Sequence, residues 1–152
     1  MQYTFVALAI AFFGQALANP IVGSEIESTV PSSFPVSDLT FGDVHTGTTL
    51  SQGGLHTDSA QQEFPASLFL CRADNCVSCT SFDLSTAPFN ECLTPNPIFS
   101  FVSAAIVQPS NEGLPFETTV GTTGCGQLLQ LPEVNECFNL NGGVFETFAL
   151  LT

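Results

Sequence analysis

Beyond residue 66 the chain reads in short apolar or alternating runs, and outside residues 1–18 no stretch sustains the 3.6-residue apolar period of an amphipathic helix. Residues 67–72 (Ser-Leu-Phe-Leu-Cys-Arg) and 80–84 predict two short strands. Residues 97–107 are apolar on both faces and predict a strand buried between two layers; their Phe, Val and Ile content and bounding prolines argue against a helix. Leu114, Phe116, Thr118 and Val120 alternate with Pro115, Glu117 and Thr119, the pattern of a half-buried strand, and residues 127–131 predict another. Cys137-Phe138-Asn139-Leu140, then Asn141-Gly142, then residues 143–148 predict a β-hairpin, because Asn-Gly suits a type I′ turn whose central residues need positive φ. Such a hairpin sets Phe138 opposite Phe145, a cross-strand pair worth roughly 0.2–1 kcal/mol. Phe34, Val36, Leu39, Phe41 and Val44 mark a further, edge strand. The expected fold is all-β: an antiparallel β-sandwich or Greek-key domain stapled by disulfides, after an N-terminal signal helix.

That helix is the apolar run of residues 5–13, broken by Gly14-Gln15 and followed by Ala16-Leu17-Ala18, a small-x-small box that signal peptidase accepts. The run falls well short of the ~20 residues that cross a bilayer, so a cleaved signal peptide over residues 1–18 and a secreted, extracellular protein are expected. The amino-terminal region carries no Lys or Arg, a departure from the usual signal pattern. Residues 19–66 hold no Cys and are rich in Ser, Thr, Gly and Pro, which predicts a partly ordered arm. Residues 67–152 form the disulfide-linked β domain. No Asn-x-Ser/Thr sequon occurs.

Charge narrows the partners. The chain has 14 acidic residues against a single Lys or Arg, Arg72, for a net charge of −13. One cation cannot supply the counterion release that nucleic-acid binding requires, and anionic membranes repel such a chain. There is no Trp, and the one Tyr, Tyr3, lies in the signal. That weighs against sugar sites built on stacked amphipathic rings. Of 15 Phe, only Phe5, Phe12 and Phe13 precede residue 19, so Phe fills the core.

The six cysteines, Cys71, Cys76, Cys79, Cys92, Cys125 and Cys137, are an even set in an exported chain and predict three disulfides, with 15 connectivities open. Cys76-Val77-Ser78-Cys79 is a CxxC, but it has neither nearby His nor a βαβ setting for thiol redox.

Candidate chemistry is sparse. His45 and His56, with Asp43 and Asp58, are the metal set a hairpin would gather, and the same histidines are the only bases for a nucleophilic triad. Asp38, Asp43, Asp58, Asp74 and Asp83 lack the Asp-Thr/Ser-Gly context of aspartic peptidases. No catalytic residue is assigned. Asp74-Asn75-Cys76-Val77-Ser78-Cys79 resembles the calcium loop of βγ-crystallin-type Greek-key domains in five of six places, with Cys79 where that loop has its last Ser. The resemblance implies Asp74, Asn75 and Ser78 as oxygen ligands and calcium as the one cofactor to consider.

More broadly, the signal peptide, the Cys71-x4-Cys76-x2-Cys79-x12-Cys92 cluster and residues 131–140 resemble the small secreted cysteine-containing, effector-like proteins of filamentous fungi. The resemblance implies a non-enzymatic extracellular protein that binds another protein or a cell-wall component. The alternatives are a small acid-active hydrolase using a carboxylate pair, and a structural wall or matrix protein.

Overall fold

The computed structural model describes residues 19–22, 24–28, 30–41 and 65–152. Residues 1–18, where the signal helix is expected, and 42–64, with His45, His56, Asp43 and Asp58, lie outside them. Eleven strands run through the described residues: β1 (Asn19–Val22), β2 (Ser24–Ser28), β3 (Val36–Thr40), β4 (Ser67–Ala73), β5 (Val77–Asp83), β6 (Leu93–Asn96), β7 (Ser103–Val107), β8 (Glu117–Gly121), β9 (Leu128–Gln130), β10 (Cys137–Asn141) and β11 (Thr147–Leu151). The fold is all-β. One sheet has the order β2-β5-β4-β7-β10-β3, the other β1-β6-β11-β8-β9.

The period-2 alternation of a strand sends every second side chain to one face. Leu68 and Leu70 of β4, Phe82 of β5, Ala104 and Ile106 of β7, and Phe138 and Leu140 of β10 thereby share one buried core with Leu93, Val120, Leu129, Phe148 and Leu150 of the opposing sheet. Phe82 and Phe148 meet across it, ring centroids 5.5 Å apart. The outward face of the larger sheet is also apolar: Cys71, Ala105 and Cys137 form a second buried cluster with Val30, and Phe34 packs against it. The central strands of that sheet are therefore buried on both sides.

The chain builds this sandwich from two equivalent halves. In the first, β4 and β5 form a hairpin, β6 crosses to the other sheet, and β7 returns beside β4. In the second, β8 and β9 form a hairpin, β10 crosses in the opposite sense, and β11 returns beside β8. Each half is a Greek key whose third strand is given to its partner: β6 pairs with β11, and β10 pairs with β7. The registers correspond. Ser67↔Val107 through Cys71↔Ser103 in one half answers Glu117↔Leu151 through Gly121↔Thr147 in the other. The equivalence extends to the strand entries, where Asn90-Glu91-Cys92 precedes β6 and Asn135-Glu136-Cys137 leads into β10. Asn90 and Asn135 both have φ of 57°. Their backbone N–H groups donate to Leu150 O and Ile106 O respectively, each at 2.7 Å.

Two disulfides follow the same equivalence. Cys76, in the β4–β5 loop, bonds Cys137 at the start of β10. Cys125, in the β8–β9 loop, bonds Cys92 just before β6. The third, Cys71–Cys79, joins directly paired residues of β4 and β5.

The expected antiparallel β-sandwich is observed, with two parallel pairings at its edges: β1 runs parallel to β6, and β3 parallel to β10. Three sequence expectations need correction. Residues 97–107 are not one strand; only Ser103–Val107 is, and β6, just upstream, was not expected. Residues 97–102 carry the chain from one layer to the other, which leaves Ile98 72% exposed. The expected alternation at residues 114–120 fails because Thr118, Thr119 and Val120 are all buried: Thr119, on the face opposite Val120, is short and turns its hydroxyl onto Ala149 O of β11.

The terminal hairpin does not form. Both edges of β10 are already taken, by β7 and β3, so Phe138 pairs with Ala104 and Ser37, and the chain must cross to the other sheet after Asn141. Gly142 does adopt the positive φ the turn reading asked for, at 94°. Gly143 serves packing instead: a Cβ there would sit 2.9 Å from the Phe41 ring, which stacks on Phe145 with centroids 5.1 Å apart.

Candidate functional site

Of the residues the sequence offers for calcium, Asp74 and Asn75 lie in the β4–β5 loop and Ser78 lies at the start of β5. Asn75, Cys76 and Ser78 have φ of 60°, 55° and 57°, a left-handed run that non-glycine residues hold only when their surroundings fix it. Here β10 and β7 fix it. The Asn75 N–H donates to Asn139 Oδ1 at 2.8 Å, and Asn139 Nδ2 donates back to Asn75 Oδ1 at 3.3 Å. The Cys76 N–H donates to Ser103 Oγ at 3.0 Å, while the Ser103 hydroxyl donates to Ala73 O at 2.6 Å. The Cys76–Cys137 disulfide completes the clamp.

The structure thus sets the three candidate residues on the turn between β4 and β5 and the first residues of β5, but it commits the Asn75 amide to Asn139 and leaves Asp74 as the loop's single carboxylate. Hard-cation sites take several oxygen ligands at once. Among the described residues no three His, Cys, Asp or Glu side chains gather as a metal-binding group. Asp83 is engaged elsewhere: its carboxylate accepts from the Ser85 N–H at 2.9 Å and the Ser85 hydroxyl at 2.7 Å, capping the 3₁₀ turn Leu84–Thr86. Asp38 is exposed on β3.

Beside the clamped loop lies a groove of about 460 Å³. Its buried floor is the Cys76–Cys137 disulfide, and Val30, Phe34, Val36 and Val77 are among the residues that line it. Val36 is 50% and Val77 49% exposed, a large apolar exposure for two residues lining one hollow. Sequence reasoning did not find this site. The only signal for it is the apolar spacing of Val30, Phe34 and Val36 among prolines and serines, which reads as a loop until the strand beneath it is known.

A second hollow of about 410 Å³ lies between residues 65–67, Asp83 and residues 107–109. Among the described residues Asp83 is the one carboxylate lining it, and none lines the groove. A carboxylate-pair hydrolase would set two across a cleft, roughly 5–9.5 Å apart. Elsewhere, Val102 and Val144 flank the Phe101↔Phe145 bridge and are 40% and 61% exposed. Arg72 lies over the Phe99 ring, 4.3 Å from its centroid.

No protein-family model matches the chain, and no curated protein or solved structure matches it either. Among the described residues every cysteine is disulfide-bonded, and no helix is long and apolar enough to cross a membrane.

Proposed function

We propose that the protein is exported and works without catalysis, by binding an extracellular protein or a cell-wall component. The observation that carries this reading is the groove over the Cys76–Cys137 disulfide, where half-exposed Val36 and Val77 stand on backbone held by covalent and hydrogen-bonded constraints. A rigid surface loses little conformational entropy on association, so its exposed apolar area is available for affinity. Three disulfides support export, because such bonds persist in oxidising compartments. The exchanged Greek keys give the β4–β5 loop a rigid seat, which supports its use as a binding platform. The cysteine pattern supports a role like that of the effector-like secreted proteins of filamentous fungi.

The test uses the full chain expressed in a secreting fungal host. Recovery from the medium with its N-terminus at Asn19, and retention of a specific extracellular protein or wall fraction by the disulfide-intact material, support the reading. Retention inside the cell, or hydrolysis of a wall-polymer or protein substrate at acidic pH with no retained partner, rejects it.

A further inference from the structure

We infer that the groove over the Cys76–Cys137 disulfide docks a protein segment in which an aliphatic or aromatic side chain is flanked by Lys or Arg, an inference that rests on the binding function proposed above. The groove supplies the apolar half of the match. Val30, Phe34, Val36 and Val77 surround a hollow of about 460 Å³, within the range of small-ligand pockets and enough to take an inserted side chain. Its floor, the disulfide, offers sulfur and hydrocarbon rather than hydrogen-bonding groups.

Charge complementarity supplies the other half. Asp74 immediately precedes the lining residue Asn75 and is exposed; Asp38, also exposed, follows Val36 by two positions and so shares its face of β3. Among the described residues no cation answers them. Arg72, the single Lys or Arg in the chain, points to the face of β4 opposite Cys71 and lies over Phe99. With a net charge of −13, the molecule repels an acidic partner at long range and steers a basic one toward it. An apolar hollow beside two unanswered carboxylates therefore selects a cationic segment with an apolar tip, and rejects a second copy of this chain.

The test titrates the full-length, disulfide-intact, ¹⁵N-labelled protein with three synthetic peptides. One has Leu and Phe flanked by Lys and Arg, one keeps the cations with Ser in place of Leu and Phe, and one keeps Leu and Phe with Glu in place of the cations. The first peptide is expected to shift the amides of Val36, Asn75 and Val77, and to bind at least tenfold more tightly than either control. The double variant V36D/V77D is expected to weaken it at least tenfold; V77S replaces the double variant should that fail to fold. Equal binding of the all-polar cationic control, shifts centred on Val102 and Val144, or no shift at all overturns the inference. If a partner is retained from the medium equally well by V36D/V77D, the groove assignment fails while the binding function stands. If wild-type protein retains no partner, the binding function itself fails.

Discussion

Phe101 and Phe145 face each other across a single antiparallel bridge at the junction of the two Greek keys, both fully buried, with ring centroids 6.2 Å apart. They are equivalent residues, each two positions ahead of the strand that closes its half, β7 or β11. The Phe101 N–H donates to Phe145 O at 3.0 Å, and the pair is extended by Phe41 on one side and Phe99 on the other. Beside the exchanged strands and the two cross-linking disulfides, the halves therefore also meet through a run of aromatic ring contacts.

Truncating either ring empties the same junction. Phe101→Ala and Phe145→Ala are each expected to cost about 3–5 kcal/mol, the usual range for a buried Phe. Because the rings touch, the double variant should fall short of the sum by about 0.5 kcal/mol or more. Urea unfolding of the four proteins measures both quantities, and strict additivity would show that the junction is not a shared unit.

The disulfides differ in the lengths of chain they close. Cys76–Cys137 spans 61 residues and Cys71–Cys79 spans 8. On chain entropy alone the first is expected to contribute about 4 kcal/mol and the second about 2.5 kcal/mol. Replacing both cysteines of each pair by Ala should reproduce that order in unfolding midpoints. Peptide mapping without reduction should recover Cys71–Cys79, Cys76–Cys137 and Cys92–Cys125 and no other pair.

Two neighbouring glycines should respond in opposite ways to Ala. A Cβ on Gly121 would lie 2.8 Å from Leu128 Cδ2, 2.9 Å from Thr147 Oγ1 and 3.0 Å from Gln127 O, so Gly121→Ala is expected to destabilise by about 1–3 kcal/mol. Gly126 has φ of −63° and ψ of −33°, and a Cβ there would meet nothing nearer than 3.5 Å. Gly126→Ala is expected to stabilise by about 0.4–1 kcal/mol, through the unfolded chain. Thermal melts of the two variants distinguish the outcomes.

Adjacent threonines of β8 offer a similar contrast. The Thr118 hydroxyl is buried with no hydrogen-bond partner among the described residues, whereas the Thr119 hydroxyl donates to Ala149 O at 3.1 Å. Thr118→Val, which keeps the shape and removes the unpaired hydroxyl, is expected to raise stability by about 1 kcal/mol; Thr119→Val, which gives up a hydrogen bond, should lower it by about 1 kcal/mol. Equal effects would mean that the two hydroxyls have the same surroundings.

The fold class was legible because strand periodicity is local. Leu68 and Leu70, or Leu129 between exposed neighbours, announce their faces within a few residues. Layer assignment was not legible. Asn141-Gly142 encodes a turn, but whether the next strand pairs back or crosses over depends on which edges of β10 are free, and residues 36–40 and 103–105 decide that from far away in sequence. The same holds for the groove: Val77 reads as one apolar residue in a CxxC until Cys76 is known to bond Cys137 and bring β3 beside it. Cysteine count predicted three disulfides, but the pairing needed the exchange of β6 and β10. The repeated Asn-Glu-Cys was visible throughout, and only the matching carbonyl partners of Asn90 and Asn135 give it meaning.

The exchange of third strands also sets a timetable for synthesis. As the chain emerges amino terminus first, Cys71, Cys76, Cys79 and Cys92 all appear before either long-range partner, Cys125 or Cys137, exists. Of the native bonds only Cys71–Cys79 can close during that interval. Cys76 and Cys92 must wait unpaired, or be released from temporary bonds, until the last quarter of the chain is made. A catalyst of thiol exchange therefore has a defined task here: keeping two early sulfurs available for two late ones.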